Sequence, residues 1–254
     1  MRRETQNILL ILLGGALLKI SLNGDYLRYV KPAQQPWIIA GGAIMVLLGV
    51  VAIGRDLVAA RRTAAATADA GDTDGTAADE HAHEGHQHPA RSAWLLMVPV
   101  LAVFLVAPPA LGSDSVTRTQ GRTPQSSALR DAQLFPALPE QSVVPLPVSE
   151  FVTRAGWDSS GSLNGRTVSL SGFVARDGAN VLLARLVIGC CAADANPVTV
   201  RLLGPGTEGL QPDAWIEVTG VVVPGTTTRE TNYTPDFTLA SVRPVPAPKD
   251  PYEY

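Results

Sequence analysis

Cysteine and histidine are scarce in this chain, and each is confined to one short run. Among 254 residues there are two cysteines, adjacent at positions 190 and 191, and four histidines, all between positions 81 and 88. Two cysteines are too few for the disulfide framework of a small secreted domain. The sequence also lacks a Cys-x-x-Cys pair, so the usual active site of a thiol oxidoreductase is absent.

Charged and aromatic residues are few as well, at 17% and 6%, and the formal net charge is −3. A chain without overall basic character, and with few rings to stack on bases, is not expected to bind nucleic acid. No histidine follows position 88, which excludes a Ser-His arrangement from the second half of the chain. A phosphate-binding Gly-rich loop with a following Lys-Ser/Thr is also absent. We therefore predict that the protein is not an enzyme.

Long apolar runs, by contrast, are present three times in the first half, at residues 8–22, 36–54 and 93–111. The second and third runs are uncharged and about 19 residues long, enough to cross the hydrocarbon core of a bilayer, and Lys19 of the first would extend toward the interface. Trp37 and Trp94 lie at the edges of the second and third runs, where aromatic side chains favour the membrane interface. The first run is interpreted as a retained helix, because no small-x-small cleavage site follows it. The sequence predicts three transmembrane helices.

The orientation of these spans is predicted from the Lys/Arg residues beside them. Basic residues favour the cytoplasmic side, and the N-terminus and second loop hold more of them than the first loop, which has Arg28 and Lys31. Those on the predicted cytoplasmic side are Arg2, Arg3, Arg55, Arg61, Arg62 and Arg91. The chain is therefore predicted to be a multi-pass cell-membrane protein whose region after the third span is extracytoplasmic.

The four histidines, His81, His83, His86 and His88, lie within this predicted cytoplasmic second loop. They follow a tract rich in Ala, Thr, Asp and Gly, which is unsuited to forming a packed core. Imidazole is a common ligand for zinc, copper and nickel, so the run predicts weak, adjustable metal binding. The alternative is a solvated low-complexity linker without a selected ligand role.

Residues 145–254 are typical of a small β domain. Apolar residues alternate with polar ones in several runs, which indicates half-buried strands, and Asp177-Gly178 marks a turn. A short helix is predicted from an N-cap at Ser149 to Trp157. The five predicted strands are residues 166–174, 181–188, 197–203, 214–223 and 237–242. Glycines within strands suit sharp bends, so we predict an OB-like β-barrel with bends at Gly172 and Gly220.

The adjacent cysteines cannot form an ordinary structural disulfide. Consecutive Cα atoms are about 3.8 Å apart, whereas a relaxed disulfide needs roughly 4.4–6.8 Å. Three interpretations stay open: a pair of metal thiolates, a strained vicinal disulfide, or two small buried residues. Neighbouring side chains on a strand point to opposite faces, so both thiols can meet one ion only if the chain bends, which Gly189 would permit. Asp194 would then serve as an oxygen ligand or as a turn former.

The order of these features resembles one known family. The chain carries two spans, a His-rich loop and a third span, followed by GRTVSLSGFV, VLLARLVIGCCAADANPVTVRL and WIEVTGVV, and then by DPYEY. It thereby resembles the YcgQ-type permease-subunit proteins of bacteria over essentially its whole length. The resemblance implies a partner, a separate multi-span permease-like membrane protein, and a link to metal homeostasis. It also implies that Cys190, Cys191 and Asp194 are the key outer residues.

Taken as a whole, the sequence predicts a membrane α region followed by a small all-β domain. The predicted parts are two transmembrane helices (1–62), a His-rich loop (63–92), a third helix (93–112), a flexible tether (113–144) and the OB-like domain (145–254). The function predicted from these parts is an accessory subunit of a membrane permease that handles zinc or another transition metal. Its metal ligands would be Cys190, Cys191, Asp194 and the four histidines. The alternative is a membrane-anchored thiol redox or sensor protein.

Overall fold

The structure, a computed structural model, describes residues 3–69, 97–105, 109–119 and 135–254. The chain divides into two compact units. Within the described residues, the α-helices of the first unit are α1 (Arg3–Asn23), α2 (Gln35–Asp69) and α3 (Met97–Leu105). The second unit holds the short segment Leu27–Lys31, between α1 and α2, together with the chain from Pro109 to Tyr254.

Two helical segments, Thr5–Asn23 and Pro32–Arg62, are long and apolar enough to cross a membrane. They contain the first two predicted spans. Of the third predicted span, residues 97–105 and 109–111 lie within the described residues; Met97–Leu105 is helical, and residues 109–111 are not. Helix α2 continues to Asp69, past the predicted start of the His-rich loop at residue 63. His81, His83, His86 and His88 lie outside the described residues.

Glycines allow α1 and α2 to pack closely against each other. A Cβ at Gly14 would lie 2.7 Å from the carbonyl oxygen of Gly42, and a Cβ at Gly42 would lie 3.0 Å from that of Gly14. Small residues at such contacts are typical of helices that associate within a bilayer. Large apolar side chains elsewhere on α2 are exposed; among them are Trp37, Ile44, Leu47, Leu48 and Val51.

The second unit is built on a mixed sheet of seven strands. The five predicted strands are confirmed as β2 (Val168–Asp177), β3 (Asn180–Val187), β4 (Asn196–Leu203), β5 (Trp215–Val223) and β6 (Asp236–Pro244). Two very short strands that were not predicted join them: β1 (Val144–Pro145) beside β2, and β7 (Tyr252–Glu253) beside β3. The pairings run β2-β5-β6-β4-β3 and return from β3 to β2, with β4 and β6 parallel.

The two predicted bend positions are places where strands approach closely. A Cβ at Gly172 would lie 2.5 Å from the carbonyl oxygen of Ala184 on β3. A Cβ at Gly220 would collide with the carbonyl oxygen of Thr238 on β6, and a register shift occurs between Thr219 and Gly220. Only glycine fits at either position without moving a neighbouring backbone.

Side chains from alternate positions of the strands fill the main core, as the period-two pattern predicts. Val168, Leu170 and Val174 are all buried there. Strand β3 is buried on both faces, because Leu182, Ala184 and Leu186 pack into a second cluster. That double burial explains why this strand is a continuous apolar run in the sequence rather than an alternating one.

The predicted flexible tether belongs to the folded unit at both of its described ends. Residues Ser113–Thr119 form helix α4, whose Val116 is 1% exposed within the second cluster. Leu138 is buried in the main core. Single apolar residues in a polar, Pro-rich stretch carry no periodic signal, so this packing could not be predicted from the local pattern.

The predicted short helix is present as α5 (Val148–Trp157), but its cap is different. Pro147 occupies the N-cap position, and it makes no side-chain cap hydrogen bond. Instead, the carboxylate of Glu253 accepts hydrogen bonds from the backbone N–H groups of Val148 at 3.0 Å and Ser149 at 2.8 Å. A carboxylate there satisfies helix donors that otherwise lack a partner and suits the helix dipole.

Candidate metal site

The two cysteines lie in the loop between β3 and β4, which we call the Cys loop (residues 188–195). Ile188, at its start, is 1% exposed in the second cluster, and its N–H donates to the carbonyl of Glu253 at 3.0 Å. The chain then bends at Gly189 and Cys190, and Ala192–Asp194 forms a single 3₁₀ turn before β4. The predicted bend before the cysteine pair is therefore present.

This bend brings the two thiols together. The Sγ atoms of Cys190 and Cys191 are 3.6 Å apart, and both cysteines are free. Cys190 is exposed and Cys191 is partly buried, so the interpretation as two small buried residues is wrong. Cys190, Cys191 and Asp194 each place one ligand atom within 4.8 Å of the others. Among the described residues, this is the only group of three metal-ligating side chains that converges in this way.

Asp194 shapes the loop through both of its carboxylate oxygens. Oδ1 accepts the N–H of Gly189 at 2.8 Å, and Oδ2 accepts the N–H of Cys190 at 2.7 Å. The N–H of Asp194 donates in turn to the carbonyl of Cys191 at 3.0 Å. A Cβ at Gly189 would lie only 2.9 Å from Oδ2 of Asp194. Glycine is therefore needed at 189 to make room for the carboxylate, in addition to the flexibility that the sequence suggested.

The same contacts set the charges of the loop. A hydrogen bond to the Asp194 carboxylate, together with one to Cys191, raises the pKa of the Cys190 thiol to about 11. Burial of Asp194 favours its neutral form, but the hydrogen bonds from Cys190, Gly189 and Cys191 outweigh this and lower its pKa. In the metal-free protein at neutral pH, the loop therefore holds a carboxylate beside a protonated Cys190 thiol.

Asp194→Asn is expected to make Cys190 more reactive towards alkylating reagents. Without the carboxylate, the pKa of Cys190 should fall from about 11 towards its ordinary value of 9.0. Thiolate is the reacting form, so its fraction at pH 7.5 should rise by up to about 100-fold. A thiolate of lower pKa is a weaker nucleophile, which reduces the net gain to about 10-fold. Rapid-quench alkylation, with Cys190 and Cys191 adducts separated by peptide mass spectrometry, would measure this gain.

The pH profile separates this electrostatic effect from simple loosening of the loop. Loss of the carboxylate should move the midpoint of the alkylation profile to lower pH. Loosening alone would raise the rate at every pH and leave the midpoint in place. Asp177→Asn, an exposed carboxylate in the β2–β3 turn, is the matched control and should change neither. An Asp194→Asn midpoint equal to that of the parent would contradict the role assigned to Asp194.

A second set of contacts, absent from the sequence-based prediction, reaches the Cys loop from far along the chain. Leu27–Lys31, which we call the strap, forms an antiparallel bridge between Val30 and Cys191. Tyr29 accepts the N–H of Ala192 at 2.7 Å through its carbonyl oxygen. The hydroxyl of Tyr252 donates to the carbonyl of Arg28 at 2.9 Å. The only sequence signal for these partners was the DPYEY motif that contains Tyr252.

The structure thus brings together three of the seven predicted ligands, Cys190, Cys191 and Asp194. The other four, the histidines at 81, 83, 86 and 88, lie outside the described residues, so their role stays a prediction. Cys190 is exposed to solvent. The arrangement can present two sulfurs and one oxygen to an ion arriving from solvent.

Two sequence families match this chain. Residues 5–121 match the DUF1980 N-terminal domain, and residues 158–254 match the DUF1980 C-terminal domain. Together the matches cover more than half of the chain. The chain belongs to the DUF1980 family. In this DUF1980 protein the strap falls within the N-terminal match, whereas the Cys loop and Tyr252 fall within the C-terminal match, so both family domains contribute to the site.

Other comparisons add little to the DUF1980 assignment. No curated protein matches the chain. A structure of a replication protein A heterotrimer bound to ssDNA matches with 13% identity and a TM-score of 0.19, covering 31% of this chain and 57% of that one. A crystal structure described as an aspartyl-tRNA synthetase from Leishmania major Friedlin matches with 12% identity and a TM-score of 0.25, covering 43% and 22%. The chain thus spans little more than half of the first structure and about a fifth of the second, and these likenesses carry no argument about function.

Proposed function

We propose that this DUF1980 protein is a non-enzymatic accessory subunit of a membrane permease, of the YcgQ type, and that its Cys loop binds a transition-metal ion outside the cytoplasm. The observation that carries the proposal is the convergence of two free thiols, 3.6 Å apart, with the carboxylate of Asp194. Thiolates prefer soft or borderline ions such as zinc and copper(I). A loop that is exposed on one side can load and release such an ion.

The distance between the sulfurs favours zinc within this class. Two thiolates bound to one zinc ion, with Zn–S bonds of about 2.3 Å and tetrahedral angles, lie about 3.8 Å apart. The observed 3.6 Å is close to that separation. A linear two-coordinate ion would require the sulfurs to lie farther apart. Each Asp194 oxygen accepts one backbone hydrogen bond and keeps a second lone pair, so the carboxylate would supply a third ligand. The remaining position around the ion would be filled by water or by a donor of the permease.

The strap supports a topology of three spans. It connects α1 to α2 in the chain and contacts the Cys loop within the second unit. If α1 and α2 cross the bilayer, the strap and the folded domain must share one side, and α2 carries the chain to the other. The chain must then cross back between Asp69 and Ser113, where residues 93–112 are the predicted third helix. The Lys/Arg distribution favours an extracytoplasmic location for the domain.

The remaining parts fit the same proposal. The cyclic pairing of five strands, with β4 and β6 parallel, supports an OB-like barrel as the carrier of the Cys loop. The exposed apolar residues of α2 suit lipid and the helices of a multi-span partner. His81, His83, His86 and His88 would form a second, weaker metal-binding point on the cytoplasmic side.

The alternative, a membrane-anchored thiol redox or sensor protein, is favoured by the proximity of the two free thiols. Reactive redox cysteines, however, usually have a lowered pKa, whereas the surroundings of Cys190 raise its pKa to about 11. The raised pKa therefore disfavours a reactive redox thiol, and it makes metal binding pH-dependent, because the ion must displace the proton of Cys190.

Gentle purification of the full-length protein from native membranes tests the proposal. We expect a stoichiometric multi-span membrane partner, identified by mass spectrometry, and bound zinc measured by elemental analysis on the same sample. Cys190→Ser/Cys191→Ser should lose the zinc that the Cys loop holds and keep the partner. A protein isolated alone and metal-free, with a reducible Cys190–Cys191 bond, would reverse the choice in favour of the redox protein.

A further inference from the structure

The strap contacts the Cys loop on both sides of Cys191. The carbonyl of Tyr29 accepts the N–H of Ala192 at 2.7 Å, and the N–H of Lys31 makes a longer hydrogen bond, 3.4 Å, to the carbonyl of Cys190. Between them, Val30 pairs with Cys191 as one residue of an antiparallel ladder. Cys191 is accordingly extended, with φ −156° and ψ 168°.

The residues around β7 hold the strap and the Cys loop at the same time. The hydroxyl of Tyr252, whose side chain is 3% exposed, donates to Arg28 of the strap at 2.9 Å. The ammonium group of Lys31 lies 5.2 Å from the ring centre of Tyr254, within range of a cation–π contact. From the same segment, the carbonyl of Glu253 receives the N–H of Ile188.

Two groups, Asp194 and the strap, hold the backbone on either side of the thiol pair. Asp194 fixes the first half of the bend by accepting the N–H groups of Gly189 and Cys190. The strap fixes the second half by holding Cys191 extended. Neighbouring side chains of a regular strand diverge, so both halves must be held for the two sulfurs to face one ion. A site that is ordered before the ion arrives binds more tightly, because less chain entropy is lost on binding.

We infer that the strap and Tyr252 are positioning elements of the metal site: they hold the Cys190–Ala192 backbone so that both thiolates meet one ion. This inference rests on the proposed function. It assigns to the DUF1980 N-terminal domain a direct part in a metal site whose ligands all lie in the C-terminal domain. Release of the strap should weaken zinc binding even though the chain still carries all three ligand side chains.

Two pairs of variants test the inference in the full-length protein, with His81, His83, His86 and His88 replaced by alanine so that zinc reports the Cys loop. Lys31→Pro removes the N–H that donates to Cys190, whereas Lys31→Ala keeps it. Tyr252→Phe removes the hydroxyl that donates to Arg28, whereas Tyr254→Phe removes a hydroxyl that donates to Asp250. Thermal unfolding of each variant confirms that the domain is folded.

We expect Lys31→Pro to weaken zinc binding about 10-fold relative to Lys31→Ala, since freeing even one or two backbone residues costs about that factor. Tyr252→Phe should weaken binding by about 3- to 10-fold relative to Tyr254→Phe, as expected for one lost hydrogen bond. Without zinc, alkylation of Cys191 should become faster in Lys31→Pro and Tyr252→Phe only, because the strap partly covers that residue.

Two different negative results separate a failure of this inference from a failure of the proposed function. Zinc affinity and Cys191 alkylation that are equal within each pair would overturn the positioning role and leave the zinc site intact. A parent protein that binds no zinc at its cysteines would overturn the proposed function. It would also overturn the inference that the strap is part of a metal site. Because alkylation is measured without zinc, a faster rate in the strap variants would then still show that the strap contacts the loop.

Discussion

Replacing either cysteine by serine is expected to weaken zinc binding at the Cys loop by more than about 100-fold, since loss of even an outer-shell partner costs 10- to 100-fold. Serine keeps the size of the side chain, but its hydroxyl does not ionise near neutral pH, so one of the two thiolate ligands is lost. The remaining thiolate and Asp194, whose oxygens accept N–H groups of the loop, cannot enclose the ion. Competition with a chromophoric chelator measures the affinity.

The design of this experiment must separate the Cys loop from the histidine run. The parent is therefore the full-length chain with the four histidines replaced by alanine. Cys190→Ser, Cys191→Ser and the double variant should bind equally poorly, because the two sulfurs act as one bidentate unit. Cobalt(II) in the parent should show sulfur-to-metal charge-transfer absorption, which each serine variant should lose. Unchanged affinity in the double variant would place the ion elsewhere and contradict the site.

The strand content of the folded domain could be predicted because it depends on a local pattern. Alternating apolar residues, the Asp177-Gly178 turn and glycines within strands are all visible in one short window of sequence. Gly172 and Gly220 were assigned to bends, and both prove to lie where another strand passes too closely for a Cβ. The bend at Gly189 was predicted for the same kind of reason.

The partners of the Cys loop could not be predicted, because they are distant in sequence and bind through their backbones. Val30 pairs with Cys191 across more than half of the chain, and backbone hydrogen bonds leave no mark on residue type. The role of Asp194 was only partly predicted: both a ligand and a turn former were considered, and the observed hydrogen bonds show the second. Ser149 was expected to cap α5 because Ser is a common N-cap, but Glu253 takes that place from another element.

Glu253→Ala is expected to lower the free energy of unfolding by about 3 kcal/mol or more, the usual cost of leaving one partner of a buried ion pair alone. Oε1 of Glu253 lies 3.3 Å from Nε of Arg185, and each side chain is 11% exposed. Burial lowers the pKa of Arg185, and the Glu253 charge opposes this shift. The same carboxylate caps the first turn of α5, so alanine also leaves two backbone donors without their acceptor. Thermal unfolding followed by tryptophan fluorescence should show a midpoint lower by more than about 10 °C.

The matched control for Glu253 is Glu217→Ala, which breaks a more exposed pair. Glu217 binds Arg243 at 2.9 Å, but the Arg243 side chain is 66% exposed, so the expected cost is below about 1 kcal/mol. Glu253→Gln separates the two roles of the carboxylate, because its amide oxygen can still accept from the helix while the charge opposite Arg185 is gone. If Glu253→Ala and Glu217→Ala unfold alike, the cap and ion pair do not stabilise the domain. If only Glu253→Ala is strongly destabilised, then Glu253 of β7 stabilises the domain by linking α5 to Arg185 on β3. The segment that contacts the Cys loop would then also contribute strongly to the stability of the fold.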